Sequence, residues 1–347
     1  ENVFENQECA DILNDNFICI KVDRQERPDI DKHYQEVHRL LNNRAGGWPT
    51  SIFSTPQNKP IFAGTYIPPE SRTGSIEGMG FKELSNLIAR KVSENDEKLF
   101  ANADEVQDFL GKVTHPTEAT VLKEDFTKNF MLQVKNNYQT KEGGFSIAPK
   151  FPHVNTLNAL MIIDRLYDEK SAKAMLTHTL NEMKKGGMYD LVDGGFCRYS
   201  ADEKWLVPHF EKMLYDNALL CEVYANAYIT YKDETYLKVA KECADFWLNH
   251  MSEDNLFYSA SDADSDAEEG TYFVYKYGEV YRLLEDNGYS DIEIMLEQMS
   301  ITKEGNFEGK NIIRFEDGEV PEHFEDVKIL FQGLRKTRAY PFCEKKV

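Results

Sequence analysis

From residue 126 onward, apolar residues recur at helical spacing in separate stripes: Phe126, Phe130, Val134 and Tyr138; Leu157, Leu160 and Met161; Met175, Thr179 and Met183; Phe210, Met213, Leu214, Cys221 and Tyr224; Leu237, Ala240, Ala244 and Trp247. Each stripe marks the buried face of an amphipathic helix. Short polar links, "DEKSAK" (Asp168–Lys173) and "DETYLK" (Asp233–Lys238), join these helices in pairs and echo one another as parts of a repeat. Between the pairs lie long segments rich in Gly, aromatic and charged residues: "KEGGFSIAPKFPHV", "GGMYDLVDGGFCRYSADEKWLVPH" and "SEDNLFYSASDADSDAEEGTYFVYK". Alternating short and long connections leave few topologies open, and the simplest is an array or toroid of antiparallel helical hairpins. In such an array, the loop before a first helix and the loop after a second helix share one end. The three long loops are therefore expected to meet on one face, and long loops of special composition are where function usually lives.

The first part follows a different grammar. "VFENQECADIL" reads as a short helix, "FICIKV" (Phe17–Val22) as a buried strand, and a helix follows from Ile30 with Tyr34, Val37 and Leu41 on one face. Two strand-like runs, Thr50–Ser54 and Pro60–Tyr66, flank a Pro/Asn turn, and a long helical region covers about Phe81–Val113. This order predicts an α/β sandwich over residues 1–115, followed by an all-α domain over 116–347 with a β-containing insertion near 256–315. In "GGWP", Pro49 opens a strand after Gly46 and Gly47, a setting that suits a cis Trp48–Pro49 bond.

Charge narrows the function. With 40 Lys and Arg against 60 Asp and Glu, the net charge is −20, and no basic surface is evident for neutralising phosphates, so nucleic acid is not an expected partner. No apolar run approaches the ~20 residues of a membrane span. The six cysteines are scattered without a C-x-x-C pair. Most read as buried thiols of a reducing, cytoplasmic compartment, with Cys19, Cys221 and Cys243 unpaired. The row opens at Glu1 rather than at a methionine, which suggests a start inside a longer product.

The chemistry is expected on the shared loop face. "VPHFEKMLYDNALL" reads as a helix opening at Pro208, with Glu211 in its first turn and His209 and Asp216 on nearly one line. A helix N-terminus disfavours the imidazolium, so His209 would be neutral and able to take or give a proton; the alternative is that it merely caps or packs the helix start. Nearby Arg198, Tyr199 and Trp205 suit a polyol, supplying planar donors and a flat apolar platform. Lys150 adds a binder for hydroxyls or anions. "SDADSDAEEG" gathers Asp262, Asp264, Asp266, Glu268 and Glu269. It resembles a calcium loop, but Ala267 and Phe273 stand where such a loop needs Gly and a bidentate Glu, so no metal is expected. Its carboxylates are either a solvated surface or, in Asp262 and Asp264, the acid–base partners of His209.

The stretches "FICIKVDRQERPDID", "GGWPTSIFSTPQNKPIFAGTYIPPE", "GGFSIAPKFPH", "GGFCRYSADEKWLVPHFEKMLYDNALL" and "YSASDADSDAEEGTYFVYK" together resemble the spermatogenesis-associated protein 20 family. The resemblance implies a thioredoxin-like domain followed by an (α/α)6 barrel similar to N-acylglucosamine 2-epimerase and the six-hairpin glycosidases. It implies that Pro49 is a structural cis-proline and that the family's Cys-His-Trp-Cys-His motif would fall just before Glu1. The last barrel hairpins would follow Val347. Two functions are open on this reading. One is a cofactor-free epimerase or hydrolase for a sugar-like small molecule, with His209, Asp262 and Asp264 catalytic and Lys150, Arg198, Tyr199, Trp205 and Asp216 binding substrate. The other is a redox or adaptor protein that meets protein partners through its thioredoxin-like domain.

Overall fold

The computed structural model describes residues 3–71, 78–114, 125–266 and 268–345. The chain divides into two compact units, Glu1–Val121 and Leu122–Val347. The boundary expected after residue 115, and Ala267 of the acidic loop, lie outside the described residues.

In the first unit, α1 (Gln7–Asn16) starts where the Asn6 side chain accepts a hydrogen bond from the Cys9 N–H at 3.2 Å. Helix α2 (Pro28–Asn42) opens on a proline with Asp29 and Asp31 in its first turn, and Asn43 ends it in the left-handed region at φ 53°. Strands β1 (Ser51–Ser54) and β2 (Pro60–Gly64) pair antiparallel, with Ile52 opposite Ala63 and Phe53 opposite Phe62. Helices α3 (Phe81–Ser93) and α4 (Glu97–Thr114) complete the unit.

Period-2 alternation sorts the ladder into two cores. Phe53 packs with Cys9, Phe81, Leu84 and Ile88 from α1 and α3. Its neighbour Ile52, with Ala63, packs against Val37 and Leu110 from α2 and α4. The long helical region is in fact broken: Asn95 turns at φ 53°, and the Asp96 carboxylate takes the Lys98 and Leu99 N–H groups, each at 3.0 Å. The run Phe17–Val22 is a second correction. It pairs with no strand among the described residues, and Ile18 and Ile20 are 93% and 81% exposed. Alternation supplies a face to bury, but a strand also needs a hydrogen-bonded neighbour.

The second unit is built on α5 (Phe126–Asn137) and two hairpins, α6 (Val154–Tyr167) with α7 (Lys170–Met183) and α8 (Leu214–Tyr231) with α9 (Glu234–His250). The short links turn through left-handed Asp168 (φ 50°) and Lys232 (φ 61°), and Asp233 caps α9 by accepting from Thr235 N at 2.9 Å. Leu157, Leu160, Leu176, Leu180, Leu220 and Tyr224 form the shared core of the hairpins. These are the antiparallel hairpins that the stripes and loop lengths predict.

The long loops carry short ladders. Strand β3 (Tyr199–Ser200) pairs with β4 (Pro208–His209), and β5 (Lys212–Met213) pairs with β8 (Ala260–Ser261). Strands β6 (Ser252–Glu253) and β7 (Leu256–Phe257) make one turn, and β9 (Asp264–Ser265) and β10 (Glu268–Glu269) another. Helices α10 (Tyr277–Asp286), α11 (Ile292–Gln298) and α12 (Phe324–Arg335) enclose a further core of Val280, Leu284, Leu296, Val327 and Phe331. Strand β11 (Cys343–Glu344) then adds to β8.

The helix expected at Pro208 begins at Leu214 instead. Pro208–His209 and Lys212–Met213 are strand because two ladders claim their backbone: Tyr199 faces His209, and Lys212 faces Ser261. Phe210 also leaves the helical stripe to stack on Phe273, with ring centres 5.5 Å apart and planes at 13°. Tertiary packing overrides a local helix signal here.

Candidate functional site

The ladders bring the long loops together. Lys150 bridges to Ser200, Tyr199 pairs with His209, and the β5–β8 pairing carries the acidic loop alongside. On this face His209 Nδ1 donates to Glu269 Oε1 at 2.8 Å, and its ring stacks on Tyr199 at 5.0 Å and 19°. Phe151 continues the aromatic row, 4.9 Å from Tyr199. Glu211, in the link between β4 and β5, lies beside His209. Glu211 Oε2 accepts from Arg198 Nη1 at 2.6 Å and sits 3.8 Å from His209 Nε2. The His209 side chain is 31% exposed, so an imidazole fixed at one nitrogen still reaches solvent. Burial works against the Arg198 guanidinium, but the Glu211 carboxylate outweighs it and holds the group's pKa above its usual range.

The expected site residues divide into two groups. Arg198, Tyr199 and His209 cluster, and Asp216 in the first turn of α8 acts on Arg198 through its charge. The acidic loop also reaches His209, but through Glu269; Asp262 and Asp264 are exposed, with the Asp262 carboxylate accepting from Asp264 N at 3.4 Å. His209 does not stand at a helix start, so the helix-dipole argument for its neutrality falls away.

Lys150 and Trp205 are corrections. Both are fully buried. Lys150 Nζ donates to the Glu203 carbonyl at 2.8 Å and lies 4.6 Å from the centre of the Trp205 ring, and Trp205 Nε1 donates to the Glu142 carbonyl at 2.8 Å. Their polar atoms are spent on the backbone, which leaves neither a free binder nor a platform. Burial pulls the Lys150 ammonium down to about 8 against the opposing charges of Glu142 and Glu203. A nitrogen-detected NMR titration is expected to show that midpoint. A value at the ordinary ~10.4 would mean that the amine is solvated.

Sequence reasoning missed the support beneath this face. Asp190 Oδ2 accepts from Lys212 Nζ at 2.9 Å and from Arg335 Nη1 at 2.8 Å, and Arg335 also reaches Asp193 Oδ2 at 2.7 Å. Lys212 adds a bond to the Gly194 carbonyl at 2.8 Å and lies 4.0 Å from the Phe246 ring centre. Burial would raise the Asp190 carboxyl, but Arg335 and Lys212 overcome it and hold the group well below the carboxylate range. Two aspartates three apart in "DLVDGG", between apolar and glycine residues, were the available signal. The glycines are needed: a Cβ on Gly194, at φ +82°, would lie 2.4 Å from the Glu242 carbonyl oxygen.

A cleft of about 260 Å³ lies along α9 and α12, lined by Asp193, Glu242, Phe246, His250, Lys328 and Gln332 among others. None of the expected site residues lines it. Among the described residues, no group of three or more His, Cys, Asp or Glu could hold a metal ion, and no helix is long and apolar enough to cross a membrane. The Trp48–Pro49 bond is cis, as is Ala148–Pro149.

Residues 1–111 match the family model described as "Thioredox_DsbH: Protein of unknown function, DUF255". Spermatogenesis-associated protein 20 of Mus musculus is 36% identical over 98% of this chain and 44% of its own length. The Homo sapiens protein of that name is 35% identical over 88% of this chain and 41% of its own. The chain thus spans less than half the length of these relatives. Among solved structures, cellobiose 2-epimerase from Bacillus thermoamylovorans aligns with a TM-score of 0.35 at 13% identity, over 40% of this chain and 42% of that one. Along nearly its whole length the chain is similar to spermatogenesis-associated protein 20, and its first 111 residues match a thioredoxin-like family model.

Proposed function

We propose that Tyr199, His209 and Glu269 form an acid–base site for a hydroxylated, sugar-like ligand, with epimerisation or hydrolysis as the reaction. The observation behind this reading is the 2.8 Å contact between His209 Nδ1 and Glu269, made by an imidazole that also stacks on an aromatic ring. A carboxylate on one ring nitrogen fixes the orientation and leaves the other to move a proton at a ligand carbon or glycosidic oxygen. The Tyr199 ring offers a flat face to a sugar ring, and Arg198 N–H groups not engaged by Glu211 suit hydroxyls. Asp216 tunes Arg198, and no cofactor or metal enters the scheme.

The test incubates the protein in D2O with a panel of reducing sugars and disaccharides, following exchange at the carbon next to the carbonyl and bond cleavage by NMR. Turnover is expected to fall about 10²–10⁴-fold in His209→Ala and Glu269→Gln. Because His209 is part-exposed, the same change should cost no more than about 1 kcal/mol of stability. An unfolded His209→Ala protein, or one with full turnover, would defeat the assignment.

A second reading has its own observation. Trp48 is 52% exposed, with Arg24 stacked 3.7 Å from its ring centre, and Ile18 and Ile20 are open to solvent. These features suit recognition of a protein partner by the thioredoxin-like unit. If no sugar binds or turns over while Trp48→Ala weakens capture of a partner, this reading replaces the first.

A further inference from the structure

Hairpin α8–α9 carries two cysteines on facing turns. Cys221 Sγ donates to the Ala240 carbonyl at 3.4 Å, and Cys243 Sγ reaches Asn217 O at 3.5 Å and Oδ1 at 3.4 Å. Each thiol thus contacts the opposite helix about one turn before the other cysteine, which places both side chains on the same stretch of the hairpin seam. We propose that Cys221 and Cys243 are a reversible modification site: a hydroperoxide oxidises Cys221, and Cys243 closes the disulfide. All the cysteines are free thiols in this structure.

The environments divide the roles. Cys221 is part-exposed, whereas Cys243 is fully buried. The neighbouring Cys243 side chain holds the Cys221 thiol down to about 7, while Cys221 and burial push Cys243 upward. Burial pushes Cys197 up to about 12 and also raises Cys9 and Cys343. A thiolate that a small oxidant can reach is the reactive form. In the first step the Cys221 thiolate attacks a peroxide oxygen, the O–O bond breaks, and hydroxide leaves with sulfenic acid formed on Cys221. In the second step the Cys243 sulfur attacks the sulfenyl sulfur, the S–O bond breaks, and the proton from Cys243 departs with the hydroxyl as water. Two electrons pass from the thiol pair to the peroxide.

The consequence extends beyond the hairpin. Asn217 Oδ1, which accepts from the Cys243 thiol, also accepts from Phe196 N at 2.6 Å, while its Nδ2 donates to Phe196 O at 2.9 Å. Oxidation removes the thiol proton from that clamp, two and three residues before Arg198 and Tyr199.

The test treats the whole chain in its native state with hydrogen peroxide, alkylates the remaining thiols and maps the digest by mass spectrometry. Two of the six thiols should become unavailable, a Cys221–Cys243 cross-linked peptide should form, and dithiothreitol should reverse both changes. In Cys243→Ser, dimedone should trap a sulfenic acid at Cys221 with no cross-link; in Cys221→Ser, Cys243 should stay a thiol. If Cys221 stays alkylatable while exposed Cys19 oxidises, or if Cys221 pairs with another cysteine, the proposal fails. The wild-type map decides this even where a variant folds poorly.

Discussion

Asp190→Ala is expected to destabilise the second unit by about 3–5 kcal/mol, the range for removing one partner from a buried ion pair. The carboxylate is 5% exposed and Lys212 and Arg335 are 0% and 3% exposed, so both cations would lose their shared partner without gaining water. Arg335 would keep Asp193, but Lys212 would keep only the Gly194 carbonyl and the aromatic faces of Phe246 and Phe273. Urea titration of both proteins measures the difference, and a loss below about 1 kcal/mol would show that the network relaxes or hydrates. The pH dependence has a definite sign. The folded-state pKa of Asp190 lies below its unfolded value, so its contribution is complete above about pH 4 and is lost as pH falls through the folded pKa into strong acid. Asp190→Asn should lack that acid-labile component.

Trp205→Ala should be comparably severe, at about 3–5 kcal/mol, although the residue sits in a loop full of charges. The side chain is fully buried, its indole N–H is bonded to Glu142, and the Lys150 ammonium lies over its ring. Truncation opens a cavity and strips Lys150 of its aromatic neighbour. Trp205→Phe keeps most of the packing and should cost less, chiefly the hydrogen bond, about 1–2 kcal/mol. Chemical denaturation of the two variants separates this from a surface sugar platform, whose loss would leave stability within about 0.5 kcal/mol.

The helical hairpins were legible because a 3.6-residue period and two loop lengths are local quantities. So was the hairpin of the first unit with its flanking helices. What failed depended on partners distant in sequence. Phe17–Val22 has the alternation of a strand, but alternation does not reveal whether a neighbour exists. Pro208–Met213 reads as helix until Tyr199 and Ser261 claim its backbone. For the site, the acidic loop was recognisable, yet the β9–β10 turn decided which acid meets His209: it sets Glu269 opposite Asp264, and Glu269 makes the contact. Lys150 and Trp205 look like site residues because both are amphipathic, and the acceptors that consume their polar atoms are carbonyls, which no residue letter records. Asp190 was hidden because the cation closing its network belongs to the last helix.

That separation has a bearing on synthesis. Asp190 and Arg335 lie 145 positions apart, so a chain emerging from the ribosome makes both helical hairpins well before it makes the guanidinium that completes their charge balance. Local helix pairing is fast, whereas long-range closure is slow. During that interval Asp190 and Lys212 have each other, while Asp193 waits near the forming interior without its cation. Such a nascent chain remains open to water at this point until α12 arrives. Slowing translation before residue 324 should therefore lengthen a protease-sensitive stage without altering the finished protein.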